Sequence, residues 1–227
     1  KKIQMSIKDN LINLKNKLPS TTKLVAVSKT KPIEDIMEAY DAGQRVFGEN
    51  KAQDMASKHA LLPEDIEWHF IGHMQTNKVK LIAPFVSLIH SVDSLKLAKE
   101  INKQAEKNNR TIDCLLQFHI ADEETKFGLS YNEAIDIIQN KATNNMDNIR
   151  FVGVMGMATF TDDNIQIKTE FGNLLKSFNK LKATCYSTYD YFEEISMGMS
   201  GDYKIAIEEG STIVRLGTLI FGERTHI

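Results

Sequence analysis

The stretch LVAVSKTKP, residues 24–32, sets four apolar residues directly against a short basic turn. A short apolar run of this kind predicts a strand buried on both faces, as in a parallel sheet. Pro32 opens the helix that follows, at a position where its missing N–H costs nothing. Glu34 and Asp35 fill the first turn, where the helix dipole favours negative charge. Ile33, Ile36, Met37 and Tyr40 form the buried stripe of that helix, and Gly43 ends it. The turn SKTKP has no glycine. An open dinucleotide-binding sheet calls for a Gly-rich phosphate turn after its first strand, so that fold loses ground.

Outward from this unit the same alternation repeats. Upstream, Ile7, Leu11, Leu14 and Leu18 recur at helical spacing and predict an extra N-terminal helix. Downstream, RVFG (45–48) precedes a helix from about residue 50, EWHFIG (67–72) precedes QTNKVKLIA, and SLIHSV (87–92) precedes a helix carrying Leu95, Ala98, Ile101 and Ala105. DCLLQFHI (113–120) precedes a helix opened by a capping box, Ser130 with Glu133. RFVGVMGM (150–157) precedes a helix with Ile167, Phe171, Leu174, Phe178 and Leu181 on one face. EEISMGM (193–199) precedes a short helix, and TIVRLG (212–217) comes last. Strands alternating with helices predict a parallel sheet. About eight such units in about 200 residues predict closure into one TIM-type (β/α)8 barrel domain spanning 1–227.

Composition narrows the function classes. Apolar residues make up 42% of 227, enough for a sizeable core, and the net charge is −2. No strong field draws the chain to nucleic acid or an anionic membrane, and no basic stripe interleaved with aromatics is present. Cys114 and Cys185 sit in apolar or aromatic settings without a CxxC, which predicts reduced core thiols in a cytoplasmic protein. The N-terminus is amphipathic and lacks the apolar run and small-residue cleavage site of a signal peptide. No stretch approaches the roughly 18 apolar residues that a membrane span needs.

Sites in such barrels lie at the C-terminal ends of the strands. Lys29 follows strand one, Ser200 follows strand seven, and Arg215, Gly217 and Thr218 end strand eight. Closure makes strands eight and one neighbours, so these residues are predicted to converge. A strand-end lysine, partly desolvated near Arg215, has its ammonium disfavoured, and a neutral amine attacks an aldehyde. Lys31 shares the parity of Lys29 and is a rival, but it directly precedes Pro32 and belongs to the helix entry. Ser200 and Gly201 open the segment GDYKIAIEEG, a helix start suited to phosphate, or to a plain N-cap at Ser200. Gly217 and Thr218 add backbone donors, with glycine permitting close approach. His69 and His73 stand four apart but on a predicted strand and its exit, and no HExxH occurs, so zinc is disfavoured.

At these residues the chain resembles the pyridoxal phosphate homeostasis (PLP-binding) protein family. The similar segments are VAVSKTKP (25–32), FGENKAQ (47–53), WHFIGHMQTNK (68–78), ETKFGL (124–129), VGVMGM (152–157) and SMGMSGDYKIAIEEGSTIVRLGTLIFGER (196–224). The resemblance implies an alanine-racemase-like barrel without that enzyme's second domain, for which 227 residues leave no room. By position it makes Lys29 the Schiff-base lysine of pyridoxal 5′-phosphate (PLP). Ser200, Gly201, Gly217 and Thr218 become phosphate contacts, and Arg215 faces the pyridine nitrogen. Asn50 and Met155 lie beside the cofactor, and His73 belongs to the segment lining the mouth.

Two functions follow from the resemblance. One is a PLP carrier and buffer serving vitamin B6 and amino-acid homeostasis without significant turnover, with PLP, amino acids and PLP-requiring apoenzymes as partners; the barrel by itself gives no reason to require a dimer, so a monomer is expected. The other is a weak PLP-dependent amino-acid racemase. An arginine at the ring nitrogen leaves it unprotonated and weakens the electron sink. Racemisation also needs proton carriers on both faces of the substrate carbon, and the racemase's opposite-face tyrosine belongs to the missing domain. Both points favour the carrier.

Overall fold

The computed structural model describes residues 6–123 and 127–223. Residues 124–126 of ETKFGL and residue 224 of the last similar segment lie outside the described residues. Among the described residues, strands β1 (Lys23–Val27), β2 (Val46–Glu49), β3 (Glu67–Phe70), β4 (Leu88–Val92), β5 (Ile112–Phe118), β6 (Ile149–Gly156), β7 (Glu194–Ser196) and β8 (Ile213–Leu216) pair in parallel in chain order. Strand β8 returns to β1, with Val25 opposite Arg215, and closes the barrel.

Each strand divides its side chains between two cores. On β1, Leu24 and Ala26 join the large apolar layer beneath the helices. Val25 points the other way, into an interior cluster with Leu88, Leu115, Val152, Met155 and Ile213. Burial on both faces explains why the strands read as apolar runs rather than alternating ones. One irregularity shifts this parity. Cys114 pairs with Phe151 but Leu115 pairs with Gly153, so β6 carries an extra residue. Val152 and Met155, three apart, therefore share the interior. Gly153 is needed there, because a Cβ would lie 1.8 Å from the Glu194 carbonyl oxygen.

The helices α1 (Ile7–Lys15), α2 (Ile33–Asp41), α3 (Ala52–His59), α4 (Val79–Ile82), α5 (Leu95–Lys107), α6 (Tyr131–Thr143), α7 (Asn164–Cys185), α8 (Tyr203–Glu208) and α9 (Thr218–Phe221) complete the fold. In α5 the buried residues Leu97, Ala98, Ile101 and Ala105 form one stripe, and the Ser94 hydroxyl accepts the Leu97 N–H at its start. The Ser130–Glu133 capping box opens α6 as its spacing predicts. Pro32 is the cap of α2 rather than its first helical residue, a one-residue difference of the kind helix ends show. Leu18 falls beyond α1, and the short α9 carries too little periodicity to be read from sequence. No helix of the described residues is long and apolar enough to cross a membrane.

Candidate functional site

The C-terminal ends of the strands surround a cavity of about 510 Å³. Lys29, Asn50, Ser200, Gly201, Arg215, Gly217 and Thr218 all line it, from four different strand ends. Lys29 reaches it through a tight turn. The Ser28 N–H donates to the Gly48 carbonyl (3.0 Å), extending the sheet one residue past β1, and the Lys31 N–H then closes back onto the Ser28 carbonyl (3.0 Å). Lys29 and Thr30 occupy the corner. The turn breaks the strand parity that made Lys31 a rival. Its Nζ donates instead to the Phe221 carbonyl at 3.0 Å.

That contact helps aim the last helix. Gly217 caps α9, so the first N–H groups of α9 have no acceptor within the helix. At its other end the Ile220 carbonyl accepts from Asn10 Nδ2 (3.1 Å) and the Phe221 carbonyl from Lys31. Two donors thus hold the negative end of α9, while its N-terminus meets the cavity. The neighbouring loop differs from the sequence expectation. Ser200 and Gly201 do not open α8. The cap is Asp202, and its carboxylate accepts the Met199 N–H at 2.6 Å, so 199–202 form a turn ahead of the helix. Gly198 takes φ 98°, and a Cβ there would meet Ala206 Cβ at 2.6 Å, which fixes how closely this turn lies on α8. A side chain at Gly201 would meet nothing within 4 Å.

Arg215 is buried at the cavity floor. Its Nη1 donates to Ser196 Oγ (2.6 Å) and its Nη2 to the Gly156 carbonyl (3.3 Å). Burial pulls its pKa down to about 10, with Asp202 opposing; the guanidinium still carries its charge at neutral pH. Behind it runs a chain of polar groups. Ser196 Oγ lies 2.8 Å from His90 Nδ1, and His90 Nε2 lies 2.9 Å from His69 Nδ1. Burial holds His69 down to about pKa 3 and His90 well below its usual range, so both rings are neutral. Arginine only donates, so Ser196 Oγ accepts from Arg215. With both rings neutral, the arrangement that gives every group in the chain a partner has the Ser196 O–H donating to His90 Nδ1 and the His90 Nε2–H donating to His69 Nδ1.

Two residues that the resemblance sets at the cofactor, Met155 and His73, lie apart from the main cavity lining. Met155 is fully buried in the interior cluster and does not line the cavity. Met157 does, because it lies two residues further on the same face and one layer nearer the mouth. His73 lines a smaller adjoining cavity of about 210 Å³, stacks on Phe127 at 4.0 Å and pairs with Asp93 at 3.1 Å. The rim at 159–162 was not anticipated from sequence. It is held by Glu170 on α7, whose carboxylate accepts the Thr159 N–H (2.6 Å) and hydroxyl (2.7 Å). His90 and Ser196 were also not anticipated; their signal is a polar residue on an otherwise apolar, buried strand.

Residues 4–225 match the family model for the alanine racemase N-terminal domain. A pyridoxal phosphate homeostasis protein of Aquifex aeolicus is 40% identical over 205 residues, covering 90% of this chain and 88% of that protein. PipY of Synechococcus elongatus, solved with PLP bound, is 31% identical with a TM-score of 0.85, covering 95% of this chain and 100% of that one. Alanine racemase of Streptomyces coelicolor shares the fold, with 14% identity and a TM-score of 0.77. The match covers 96% of this chain and 58% of that enzyme.

Proposed function

Because this chain belongs to the pyridoxal phosphate homeostasis protein family, we propose that it binds pyridoxal 5′-phosphate through Lys29 and acts as a cytoplasmic, monomeric carrier and buffer of that cofactor. One observation carries the reading: an amine, a buried guanidinium and the start of a short helix line a single cavity of about 510 Å³, a size suited to a small phosphorylated ring. The residues present fit the group. Lys29 supplies the nucleophile for the aldehyde. The Ser200 hydroxyl and the N–H groups of Gly201, Gly217 and Thr218 hold the phosphate. Arg215 donates to the ring nitrogen, and Asn50 and Met157 flank the ring. When bound, PLP supplies an electron sink whose strength the protein tunes.

Carriage is favoured over racemisation by what faces the cavity. Arg215 donates to neutral oxygens, and a guanidinium facing the ring nitrogen leaves it unprotonated and the electron sink weak. Among the described residues, no tyrosine and no histidine lines the cavity. The racemase's opposite-face tyrosine therefore has no counterpart among those residues, and the titratable groups that line the cavity beside Lys29 and Arg215 are Asp162 and Asp202. The exchange partners are PLP itself, amino acids that compete with Lys29 for the aldehyde, and PLP-requiring apoenzymes.

Absorbance tests the reading. Loading the protein with PLP is expected to produce a near-visible band that Lys29→Ala abolishes and Lys31→Ala retains. Loss of the band in Lys31→Ala alone would move the attachment to that lysine. Steady-state assays with several L-amino acids test the racemase alternative; turnover above roughly 1 s⁻¹, an ordinary enzyme rate, would overturn the carrier reading.

A further inference from the structure

Behind the Lys29 turn lies a buried ion pair that lines no part of the cavity. Glu49, the last residue of β2, is fully buried, and Lys58 on α3 is largely buried. Their charged atoms lie 2.6 Å apart. Both reach the residue immediately before Lys29. The Ser28 hydroxyl donates to Glu49 Oε1 at 2.6 Å, and Lys58 Nζ donates to the Ser28 carbonyl at 2.8 Å. That carbonyl also accepts the Lys31 N–H that closes the turn. The other carboxylate oxygen of Glu49 is buried without a partner.

The turn has a reason to need holding. Thr30, its third residue, has φ 64°. A type II turn asks for that sign at this position and usually places glycine or asparagine there. For a β-branched residue it is a strained conformation, which persists only where the surroundings enforce it. Here the surroundings are Ser28 and the Lys58–Glu49 pair, which grip the turn by its first carbonyl and its first side chain.

We infer that Lys58 and Glu49 are positioning residues for Lys29, clamping Ser28 so that the strained turn presents the Lys29 amine to the cavity. The inference rests on Lys29 being the attachment point. Condensation joins the Lys29 nitrogen to the aldehyde carbon and releases the aldehyde oxygen as water. A small displacement of the amine slows that attack steeply, since misplacement of about 1 Å costs on the order of a hundredfold.

The test uses the full chain freed of cofactor. Three quantities are measured: the rate at which the near-visible band appears on mixing with PLP, the affinity for pyridoxine 5′-phosphate, and the melting temperature. Pyridoxine 5′-phosphate carries the same ring and phosphate but has an alcohol in place of the aldehyde, so it reports the rest of the site without Lys29. Lys58→Met combined with Glu49→Gln, which strands no charge, is expected to slow the band at least about tenfold while changing pyridoxine 5′-phosphate affinity by less than about twofold. Adding Thr30→Gly, which relieves the turn, is expected to recover most of the rate. Ser28→Ala, a milder change that guards against loss of folding, is expected to slow the band about threefold. Wild-type rates in both Ser28→Ala and the Lys58/Glu49 variant, or parallel loss of pyridoxine 5′-phosphate affinity, would overturn the clamp. Absence of the band in the unaltered protein, with pyridoxine 5′-phosphate still bound, would overturn Lys29 attachment itself and the inference with it.

Discussion

The N-terminal mouth of the barrel holds a cavity of about 450 Å³ and the C-terminal mouth one of about 510 Å³, yet their charges are arranged in opposite ways. At the N-terminal mouth the cations face carboxylates. Arg150 forms two bonds to Asp113 (2.6 and 2.9 Å), and Lys23 pairs with Glu194 at 3.4 Å. The bond to Asp113 raises the Arg150 pKa above its usual value. At the C-terminal mouth the hydrogen bonds of Arg215 go to neutral oxygens, and burial lowers its pKa to about 10, offset only in part by Asp202 on the same cavity wall. The same side chain is thus made a more secure cation at one end and a more costly one at the other. A charge already matched by a carboxylate stabilises the fold and is closed to a ligand. A charge kept in place by neutral acceptors retains an attraction for whatever enters the cavity, in line with the usual division of labour between the two faces of this barrel.

The strongest test of the contrast uses two lysines at opposite ends of β1, Lys29 and Lys23. Lys29→Ala is expected to abolish the near-visible band and weaken PLP binding at least about a hundredfold, roughly 2.7 kcal/mol or more. Lys23→Ala, at the other mouth, is expected to leave both unchanged, as read by spectral titration.

Acid tests the polar chain that joins the two mouths. His69 and His90 are neutral when folded but take up protons near pH 6.5 when unfolded. Their folded pKa values are depressed, so below pH 6.5 the unfolded chain binds more protons and stability rises with pH. Stability is therefore full above about pH 6.5 and is lost progressively as pH falls toward 3, where His69 itself protonates in the fold. A loss of about 4 kcal/mol between pH 7 and pH 5, roughly 2 for each ring, is expected in denaturant titrations. A flat profile would show that the histidines are not held neutral.

Smaller effects complete the series. Arg215→Gln is expected to weaken pyridoxine 5′-phosphate binding about tenfold, roughly 1.4 kcal/mol, measured by equilibrium dialysis. Arg150→Ala breaks a half-exposed pair and is expected to cost under about 1 kcal/mol of stability, with ligand affinity intact. Equal ligand effects from these two arginines would erase the distinction between the mouths.

Much of the candidate site was legible because its residues stand just past strands that announce themselves. VAV before SKTKP identifies the end of β1, and IVRLG identifies the end of β8; a closed parallel barrel then brings Lys29 and Arg215 to one mouth. Met155, which the family resemblance sets beside the cofactor, shows what position alone leaves open. Nothing in RFVGVMGM distinguishes the extra residue at Val152–Gly153 from a regular strand. Depth along the strand is equally silent, so Met155 and Met157 look equivalent until the layers are stacked. Serine is a good cap, so the sequence offers Ser200 as a helix opener, and nothing local says that Asp202 takes that place.

Strand and helix order, closure of the barrel and the mouth at which chemistry belongs all arise from short-range patterns: apolar periodicity, caps and turn residues act within a few positions of themselves. The Arg215–Ser196–His90–His69 chain, the grip of Lys58 and Glu49 on Ser28, and the anchoring of α9 by Asn10 and Lys31 arise only on folding. Their partners lie on different strands and helices, and hydrogen-bond geometry is set to tenths of an ångström by packing that no single segment encodes.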